Sequence, residues 1–421
     1  MTANSQSAPQ TFYPPKQRPL MIRLVQSITT PLARLLYKVW ISVSEEDVGK
    51  VRTIEDARIV FVCNHPTMED GISLFALSAR LGQLFHYVVA YESFKGLLGW
   101  FIQRLGCYSI RRGLGDRASI SQTIALLKKP QCRLVIFPEG GCSYQNDTIM
   151  PFRSGAIQLP MSVLAQLAKK ASSPEQIPDL YLVPLTLKYR YLQPMRRVIK
   201  TTLDRLESQL QIAAVPAGHT DIYQRLRRVA HQVILKIEAE AGLPPESDLD
   251  WNQRIERLRQ IFIKKCEAAL EIEPNLHVPV RERVYKVQAL LEAEQESADA
   301  SGSNLHAEAE QSDIYWDTVR LLNFDAIYDG YVAESPTPER FLDTLMRLER
   351  EVFHLEHAQL KALRKAYFYI GDPINLKGYL ADYQRDRSGT TDRLAEQIHQ
   401  TMQANLEQMN QAAQSNDLSS F

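Results

Sequence analysis

The sequence predicts an α/β fold: a mixed sheet flanked by helices, preceded by an N-terminal amphipathic helix and interrupted by an inserted α-helical region. Short apolar segments of strand length alternate with helical segments over residues 58–192, a pattern typical of a sheet covered by helices. Residues 193–365 read instead as a series of helices, each apolar on one face and charged on the other. Strand character returns at Tyr367–Ile370, so the helical region is predicted to interrupt the sheet.

The N-terminal part, residues 1–44, is predicted to be a disordered, proline-bearing arm followed by a helix over residues 20–43. Basic side chains recur along that helix, and no acidic residue precedes Glu45. A wide apolar surface with a basic stripe, and Trp40 near its end, is typical of a helix that lies in a membrane interface. A helix that covers the core and a transit peptide are the alternative interpretations.

The segment from residue 45 to residue 192 is predicted to hold the main part of the sheet. Its strands are assigned from short apolar runs of strand length, the fourth of which also has β-branched and aromatic content. The predicted strands are Ile59–Cys63, Tyr87–Ala90, Leu134–Phe137 and Tyr181–Leu187, and the predicted helices include Gly71–Leu81 and Ser119–Lys128.

The rest of the chain is predicted to be mainly helical. Residues 292–312 hold six acidic residues, no Lys or Arg, and Ser, Gly and Ala between them, which favours a flexible acidic linker. The predicted boundaries are 193–366 for a helical acidic insertion that contains this linker, 367–385 for the closing strand of the core, and 386–421 for a C-terminal helix and tail.

Charge is unevenly distributed over a chain whose net charge is zero. Residues 1–192 carry 22 Lys and Arg against 13 Asp and Glu, a net +9, whereas residues 193–421 carry 27 against 36, a net −9. The neutral total argues against a nucleic-acid binder. The basic half favours phosphates or acidic lipid head groups as partners.

Cysteine content and hydropathy exclude further classes. The five cysteines are an odd number without a CxxC or a paired Cys/His spacing, so neither a disulfide framework nor a metal-ligand cluster is predicted. No apolar run approaches the length of about 18 residues that a spanning helix needs. The first nineteen residues lack an apolar signal segment. A cytoplasmic protein, peripheral on a membrane, is therefore expected.

The clearest catalytic candidate is Asn64–Gly71, which reads NHPTMEDG and lies between a predicted strand and a predicted helix. His65 falls in the turn, and Asp70 falls in the first turn of the helix. Across five residues the carboxylate can reach one imidazole nitrogen, fix the tautomer and leave the other nitrogen free as a base. Taken alone, such a pair is also common as a structural hydrogen bond.

Two further segments provide charge and backbone freedom. Gly106–Arg112 places Arg111 and Arg112 after a short β-like step, where the guanidinium groups suit a phosphate or form an exposed basic edge. Phe137–Ser143 follows a predicted strand, and its glycines can direct N–H groups at a developing oxyanion or form an ordinary turn. Arg153 adds a basic residue before a helix.

In order and spacing these segments, with Val183 and Pro184 beyond them, resemble the four sequence blocks of the glycerolipid acyltransferase family, which contains the 1-acylglycerol-3-phosphate acyltransferases. The resemblance covers residues 45–192, and Phe368–Ile374 is similar to the closing strand and Gly-x-Pro turn of that family. It implies the family's α/β fold and direct attack of an alcohol on an acyl thioester. It also implies that no acyl-enzyme forms and that no metal or bound cofactor is needed.

The resemblance also implies roles for individual residues. His65 is the general base and Asp70 orients it. Binding of the acceptor is implied for Gly106, Ile110, Arg112, Glu139 and Gly140, with Arg111 and Arg153 as further phosphate-binding candidates, and Pro184 is implied to shape the acyl-donor site.

The sequence departs from the family pattern in two places. The third block usually continues Glu-Gly-Thr-Arg, but Gly141 and Cys142 stand where Thr and Arg are usual. The missing arginine would normally help to hold the acceptor phosphate, so acceptors other than lysophosphatidate stay open. Cys142 raises the alternative of a thiol nucleophile. About 175 residues separate Leu192 from Tyr367, and no motif assigns this insertion a task.

The leading hypothesis is a membrane-associated O-acyltransferase. It would move a fatty acyl group from acyl carrier protein or coenzyme A to a lysophospholipid, with 1-acyl-sn-glycerol-3-phosphate as the first candidate and phosphatidic acid as the product. The alternatives are another lysophospholipid or an amine-lipid acceptor, and a non-catalytic lipid-binding scaffold. No partner is predicted for the insertion.

Overall fold

The computed structural model describes residues 12–213, 221–244, 248–301, 305–325 and 328–417. The first eleven residues of the predicted arm, residues 302–304 of the predicted linker and the last four residues of the tail lie outside the described residues.

Strands and helices alternate through the first half, and helices dominate the second. The strands are β1 Val39–Ser42, β2 Arg58–Cys63, β3 His86–Ala90, β4 Cys107–Ile110, β5 Arg133–Ile136, β6 Leu180–Tyr191, β7 Arg364–Ile370 and β8 Ile374–Asn375. The helices are α1 Pro19–Leu36, α2 Glu45–Arg52, α3 Asp70–Leu81, α4 Gly96–Arg104, α5 Arg117–Lys128, α6 Gly155–Ala168, α7 Arg196–Gln209, α8 Ile222–Glu240, α9 Trp251–Ala269, α10 Val280–Ser301, α11 Leu305–Phe324, α12 Tyr331–Glu334, α13 Pro338–Val352, α14 Leu380–Arg385 and α15 Arg387–Asp417.

The described strands form one mixed sheet in the order β1-β7-β6-β2-β5-β3-β4, with β8 beside β6. β6, β2, β5, β3 and β4 are parallel to one another, whereas β7 and β8 are antiparallel to β6. The long strand β6 therefore pairs with β2 on one side and with β7 on the other, where Tyr191 lies opposite Arg364. This confirms the predicted mixed sheet flanked by helices.

Each face of the sheet covers its own apolar core. Successive residues of β2 point to opposite faces, as the two-residue period of a strand requires. Phe61 belongs to the core formed with α1, α2 and α3, and Val62 belongs to the core formed with α5, α6 and α15. A third core lies among α7 to α13, which together are called the helical segment below.

The N-terminal prediction needs correction at both ends. Helix α1 ends at Leu36, not at residue 43, because Lys38 adopts a left-handed backbone with φ 49° and the apolar run after it forms β1. The arm is ordered from residue 12 onward: Tyr13 exchanges hydrogen bonds with Ser109, and Lys16 N–H donates to Gln103 O at 2.9 Å.

The predicted acidic linker is also corrected where the structure describes it. Residues 292–301 continue α10, and residues 305–312 begin α11. Ala, Glu and Gln are strong helix formers, so the composition that suggested a loop is also compatible with a helix.

Candidate active site

The candidate active site lies at the carboxyl edge of the parallel strands. Because β2, β5 and β4 run in the same direction, the segments that follow them, beginning at Asn64, Phe137 and Arg111, reach the same edge. Asn64 fixes this edge to β6. Its Nδ2 donates to Leu187 O at 2.8 Å, and its Oδ1 accepts from Leu187 N–H at 2.7 Å.

His65 and Asp70 lie together as the sequence predicts. His65 Nδ1 lies 2.7 Å from Asp70 Oδ2. Because an ionised carboxylate only accepts, Nδ1–H is the donor, and Nε2 carries the lone pair. Nε2 has no hydrogen-bond partner among the described residues. The imidazole is 18% exposed and the carboxylate is fully buried, so a substrate can reach the base while solvent does not reach the acid that orients it.

The Asp70 carboxylate is held by further donors. Thr67 donates twice, from its backbone N–H to Oδ2 at 3.0 Å and from its hydroxyl to Oδ1 at 2.8 Å. The Tyr189 hydroxyl donates to Oδ1 at 2.7 Å and also lies 2.8 Å from the Ser73 hydroxyl. Several donors compensate a buried carboxylate for lost hydration, so the acid stays fixed behind the imidazole.

His65 is also fixed from its other sides. Its ring stacks on Phe137, with the centroids 4.1 Å apart and the planes 17° from parallel. Its backbone N–H donates to Glu139 Oε1 at 3.1 Å, and its carbonyl accepts from Ser143 N–H at 2.8 Å. Phe137, Glu139 and Ser143 all belong to the third sequence block, so the first and third blocks form one unit in space.

Glu139 is nearly fully buried, which determines its charge. Burial raises the pKa of this carboxyl to about 8, while the hydrogen bond from His65 N–H and the charge of Arg281 oppose the shift only in part. Glu139 is therefore mostly protonated at neutral pH and adds little negative charge to a site expected to bind an anion.

The two glycines of the third block lie directly against side chains from other segments. Gly140 has φ +74°, and a Cβ there would lie 2.0 Å from Nε of Arg153. A Cβ at Gly141 would lie 1.8 Å from the hydroxyl oxygen of Tyr285. The Gly140 N–H donates to Phe137 O at 3.1 Å, so this N–H is not available to an oxyanion.

The three predicted phosphate-binding arginines meet aromatic rings near this edge. Arg111 lies over Tyr91, with Cζ 3.7 Å from the ring centroid. Arg112 forms an ion pair with Glu92, and its Cζ lies 4.5 Å from the ring centroid of Tyr285. The Cζ of Arg153 lies 5.4 Å from the same centroid. Tyr285 therefore brings Arg112 and Arg153 around one ring.

Two predicted residues lie apart from the dyad. Gly106 precedes β4 at its amino end, so it lies at the opposite edge of the sheet from the segment after Ile110. Its φ of +100°, with Phe85 O only 2.6 Å from a hypothetical Cβ, gives it a structural reason to be glycine. Pro184 lies in β6 opposite Val62 and accepts a hydrogen bond from Gly371 N–H at 2.8 Å. Its role toward an acyl donor stays a prediction.

The helical segment contacts the third block directly, which the sequence did not predict. Arg281 Nη2 donates to Cys142 O at 2.6 Å, and Arg347 Nη2 donates to Ser143 O at 2.6 Å. Asp343 Oδ2 accepts from the backbone N–H of Asn146 at 3.1 Å. The loop that holds His65 is thus held in turn by α10 and α13.

Sequence reasoning also missed Asn146 and Tyr189, which connect this loop to the dyad. Asn146 Nδ2 donates to Tyr189 O at 2.6 Å, and Asn146 Oδ1 accepts from Tyr189 N–H at 2.7 Å. Asn64 clamps β6 in the same way two residues earlier on the strand, at Leu187. Asn64 opens the first block and Asn146 lies three residues after the third, and this second amide near a block is the available signal for Asn146, whereas Tyr189 gives none.

Cys142 is poorly suited to act as a nucleophile. Burial, together with the charge of Asp70, raises the pKa of its thiol well above the ordinary value. A reactive cysteine needs the opposite shift, because the thiolate is the attacking species. The hypothesis of a thiol nucleophile therefore finds no support in the electrostatics of the site.

The described part of the chain shows neither a metal-binding cluster nor a helix suited to cross a membrane. No group of three or more His, Cys, Asp or Glu side chains there could hold a metal ion. No helix among the described residues combines the length and the apolar content needed to cross a membrane.

Part of the chain matches a known protein family. Residues 42–188 match the family model described as Acyltransferase. No curated protein matches the chain. The matched range runs from the end of β1 into β6 and contains His65, Asp70 and all four sequence blocks, so the family predicted from those blocks is confirmed.

Proposed function

Residues 42–188 are an acyltransferase-family domain and the protein is an acyltransferase; from this premise we propose that it transfers a fatty acyl group from an acyl thioester to the hydroxyl of a lysophospholipid. The observation that carries this proposal is the His65–Asp70 pair, which leaves an imidazole nitrogen reachable at the carboxyl edge of the sheet. A fixed, half-buried base suits removal of a proton from an alcohol.

The proposed reaction starts at His65 Nε2. This nitrogen accepts the proton of the acceptor hydroxyl as the oxygen attacks the thioester carbonyl carbon, and a tetrahedral intermediate forms. Asp70 stabilises the imidazolium through its hydrogen bond with Nδ1–H. Collapse of the intermediate breaks the carbon–sulfur bond, and the imidazolium returns the proton to the leaving thiolate. The products are an ester and a free thiol.

Substitution of His65 tests this mechanism. Purified wild type and His65→Ala are supplied with an acyl thioester and lysophosphatidate, and released thiol is measured with a chromogenic disulfide. A general base contributes about 10²- to 10⁴-fold, so a loss of that size is expected. Equal thiol release by the two proteins would remove His65 from the mechanism, and acceptor-dependent release by neither would remove the proposed reaction.

The proposed acceptor is 1-acyl-sn-glycerol-3-phosphate, with phosphatidic acid as product. Arg112 and Arg153 near the third block support an acceptor with a phosphate, since guanidinium groups bind phosphate oxygens in pairs. The alternative is another lysophospholipid or an amine lipid. A panel of acceptors separates them: a higher kcat/KM for a phosphate-free acceptor than for lysophosphatidate would favour the alternative.

The proposed donor is the thioester of either acyl carrier protein or coenzyme A. Both present the same reacting group, so the His65–Asp70 chemistry serves either. Comparing kcat/KM for the two thioesters of one fatty acid identifies the carrier. No metal or bound cofactor enters the proposed steps.

We also propose that α1 lies on a membrane surface. This helix packs on the core through Ile22 and Ala33, yet it also exposes Leu20, Leu24 and Leu35, so it carries a second apolar face that the protein does not cover. The exposed side chains of Leu20 and Leu35 retain 88% and 78% of their accessible surface. An outward apolar face on a surface helix is suited to the boundary between head groups and acyl chains.

A second apolar element and a basic groove support this orientation. Helix α4 exposes Leu97, Leu98 and Trp100. Where α1 begins and α4 ends, a groove of about 830 Å³ contains basic and no acidic side chains among its lining residues. The basic residues of that lining are Lys16, Arg18, Arg104, Lys129 and Arg133. Cations beside exposed apolar helices favour an anionic lipid surface.

Vesicle binding tests the membrane proposal. Wild type is expected to bind vesicles that contain anionic lipid and to bind less as salt rises to about 0.5 M, because screening weakens charge attraction. The double variant Leu24→Glu/Leu35→Glu is expected to lose most of this binding. The control is Leu276→Glu, which changes an equally exposed leucine in the helical segment. Binding that is insensitive to salt, or equal in all three proteins, would contradict the proposal.

A further inference from the structure

The third sequence block lacks the arginine that the family pattern places after its glycines, and the structure brings an arginine there from another part of the chain. Arg281, in the first turn of α10, donates from Nη2 to the backbone oxygen of Cys142 at 2.6 Å. Cys142 is the position at which the family pattern has its arginine. A guanidinium therefore contacts the third block at the residue where one is missing.

The same helix explains the neighbouring glycine. The hydroxyl oxygen of Tyr285 would lie 1.8 Å from a Cβ at Gly141, so the threonine of the family pattern would require Tyr285 to move. Gly113, after the second block, leaves room for the backbone of α10 in the same manner, with Tyr285 C only 2.3 Å from a hypothetical Cβ. The departures at 141 and 142 thus coincide with the packing of α10 against the block.

Arg281 has unused hydrogen-bonding capacity although its side chain is nine-tenths buried. The side chain is 10% exposed, and its Nε lies 3.0 Å from Asp325 Oδ2. Its Nη1 has no hydrogen-bond partner among the described residues, and neither has Nη2 of Arg153. Buried donors without partners are costly, so an acceptor that supplies oxygens to both guanidinium groups would be stabilising.

Positive charge gathers around Tyr285. The guanidinium groups of Arg112 and Arg153 lie over its ring. Burial lowers the pKa of Arg153 most, and the charges of Arg281 and Arg112 lower it further. Glu282 opposes this shift, with its Oε1 3.7 Å from Nε of Arg153. Cations that disfavour one another are stabilised by an anion between them. Glu139, mostly protonated at neutral pH, contributes little opposing charge.

We propose that Arg281 replaces the missing arginine of the third block and binds the phosphate of the acceptor, with Arg153 as the second guanidinium of that site. The inference rests on the proposed function, because it assigns the acceptor of the same His65–Asp70 centre. It also gives the helical segment a role in substrate binding, since the segment supplies a side chain that the acyltransferase domain lacks.

The test is the selectivity of Arg281→Ala between two acceptors. Lysophosphatidate carries the phosphate, and monoacylglycerol with the same acyl chain does not. Loss of a charged hydrogen bond to phosphate is expected to raise KM for lysophosphatidate about 10- to 100-fold, with kcat changed much less. KM for monoacylglycerol is expected to stay within about twofold of its wild-type value. Arg281→Lys, which keeps the charge, is expected to lie between wild type and Arg281→Ala.

Arg283→Ala is the matched control. Arg283 lies two residues further along α10 and pairs with Glu267, with Nε and Nη2 at 2.7 and 2.5 Å from the carboxylate oxygens. Its loss is expected to lower Tm while leaving the ratio of the two KM values unchanged. An unchanged ratio in Arg281→Ala, or the same change in Arg283→Ala, would overturn the proposal.

A binding measurement separates this inference from the proposed reaction. Short-chain lysophosphatidate is titrated calorimetrically into the His65→Ala protein and into His65→Ala/Arg281→Ala. We expect the second substitution to weaken binding about 10- to 100-fold. Equal affinities would overturn the role of Arg281 whatever the turnover of the wild type. Loss of turnover in His65→Ala with both acceptors tests the proposed reaction alone.

Discussion

The acyltransferase domain and the helical segment contribute to the same loop in different ways. The domain supplies the reacting side chains, His65 and Asp70, at the carboxyl edge of its sheet. The segment supplies none of these, yet α10 and α13 hold the backbone of the loop through Arg281 and Arg347. A region without a recognisable motif is therefore part of the site in space.

In this protein the reacting side chains and the contacts that hold them in place come from different parts of the chain. Asp343 on α13 accepts from the backbone of Asn146, the side chain of Asn146 clamps Tyr189, and the hydroxyl of Tyr189 donates to Asp70. Each contact lies within hydrogen-bond distance, so the helical segment and the dyad are joined by an unbroken series of polar contacts.

The largest effect on activity is expected from removal of the helical segment. The ends of β6 and β7 are adjacent, with Tyr191 opposite Arg364, so residues 200–360 can be replaced by a short Gly/Ser linker without separating the strands. Because the loop after β5 loses its partners, we expect transfer activity to fall more than about 100-fold. Measured thiol release by a truncated protein that elutes as a monodisperse species would test this, and wild-type turnover would show that the segment is an accessory.

A single substitution tests whether the helical segment positions His65 or only stabilises the fold. Arg347→Ala removes the donor to Ser143 O, and Ser143 N–H holds the carbonyl of His65. A small displacement of a catalytic base is costly, so kcat is expected to fall about 10- to 100-fold with KM for the thioester little changed.

The control for that substitution is an arginine buried elsewhere in the helical segment. Arg254 pairs with both carboxylate oxygens of Glu238, at 2.8 and 2.7 Å, far along the chain from the loop. Arg254→Ala is expected to lower Tm because it leaves a buried carboxylate without its partner, but to keep kcat near wild type below the melting transition. If both variants lose kcat equally, general destabilisation explains the effect.

Tyr189→Phe tests a contact that the acyltransferase domain itself makes to the dyad. It removes one donor from the Asp70 carboxylate and leaves the two from Thr67 and the contact with His65. A single hydrogen bond to a charged group supports a loss of about tenfold in kcat. The measurement is kcat at saturating thioester, and a loss as large as that of His65→Ala would mean that Tyr189 acts on substrate directly.

The features that could be predicted from the sequence are those determined by residues close together in the chain. The strand that became β2 and the helix that became α3 are marked by apolar runs and periodicity, and the His65–Asp70 pair lies within six residues, so the turn alone brings it together. The end of α1 was misplaced because Val39–Ser42 gains strand structure only by pairing with β7, more than 300 residues later.

The contacts of Arg281 and Arg347 could not be predicted for the same physical reason. They depend on how separate helices pack against one loop, and single-sequence periodicity shows which face of a helix is apolar but not which loop it covers. The second half of the chain has a net charge of −9, yet much of its charge is paired within it, as at Arg283 and Glu267. A net charge does not reveal such pairs, because the two opposite charges cancel in the sum.

The smallest expected effect is a dependence of stability on pH that is caused by Glu139. Burial raises the pKa of this carboxyl in the folded protein to about 8, while an unfolded chain has an ordinary value of about 4.3. Between these values the unfolded state loses the proton and the folded state keeps it, so stability falls as pH rises. The stabilisation is complete below about pH 4.3 and is lost through about pH 8.

Glu139→Gln removes this titration and keeps an oxygen for the N–H of His65. The difference in Tm between variant and wild type is therefore expected to shift in favour of the variant by a few degrees from pH 5 to pH 8. Measuring both proteins at each pH cancels the titration of every other group. A difference that stays constant with pH would mean that Glu139 is ionised in the folded site, and the anionic acceptor would then meet a fixed negative charge beside Arg281.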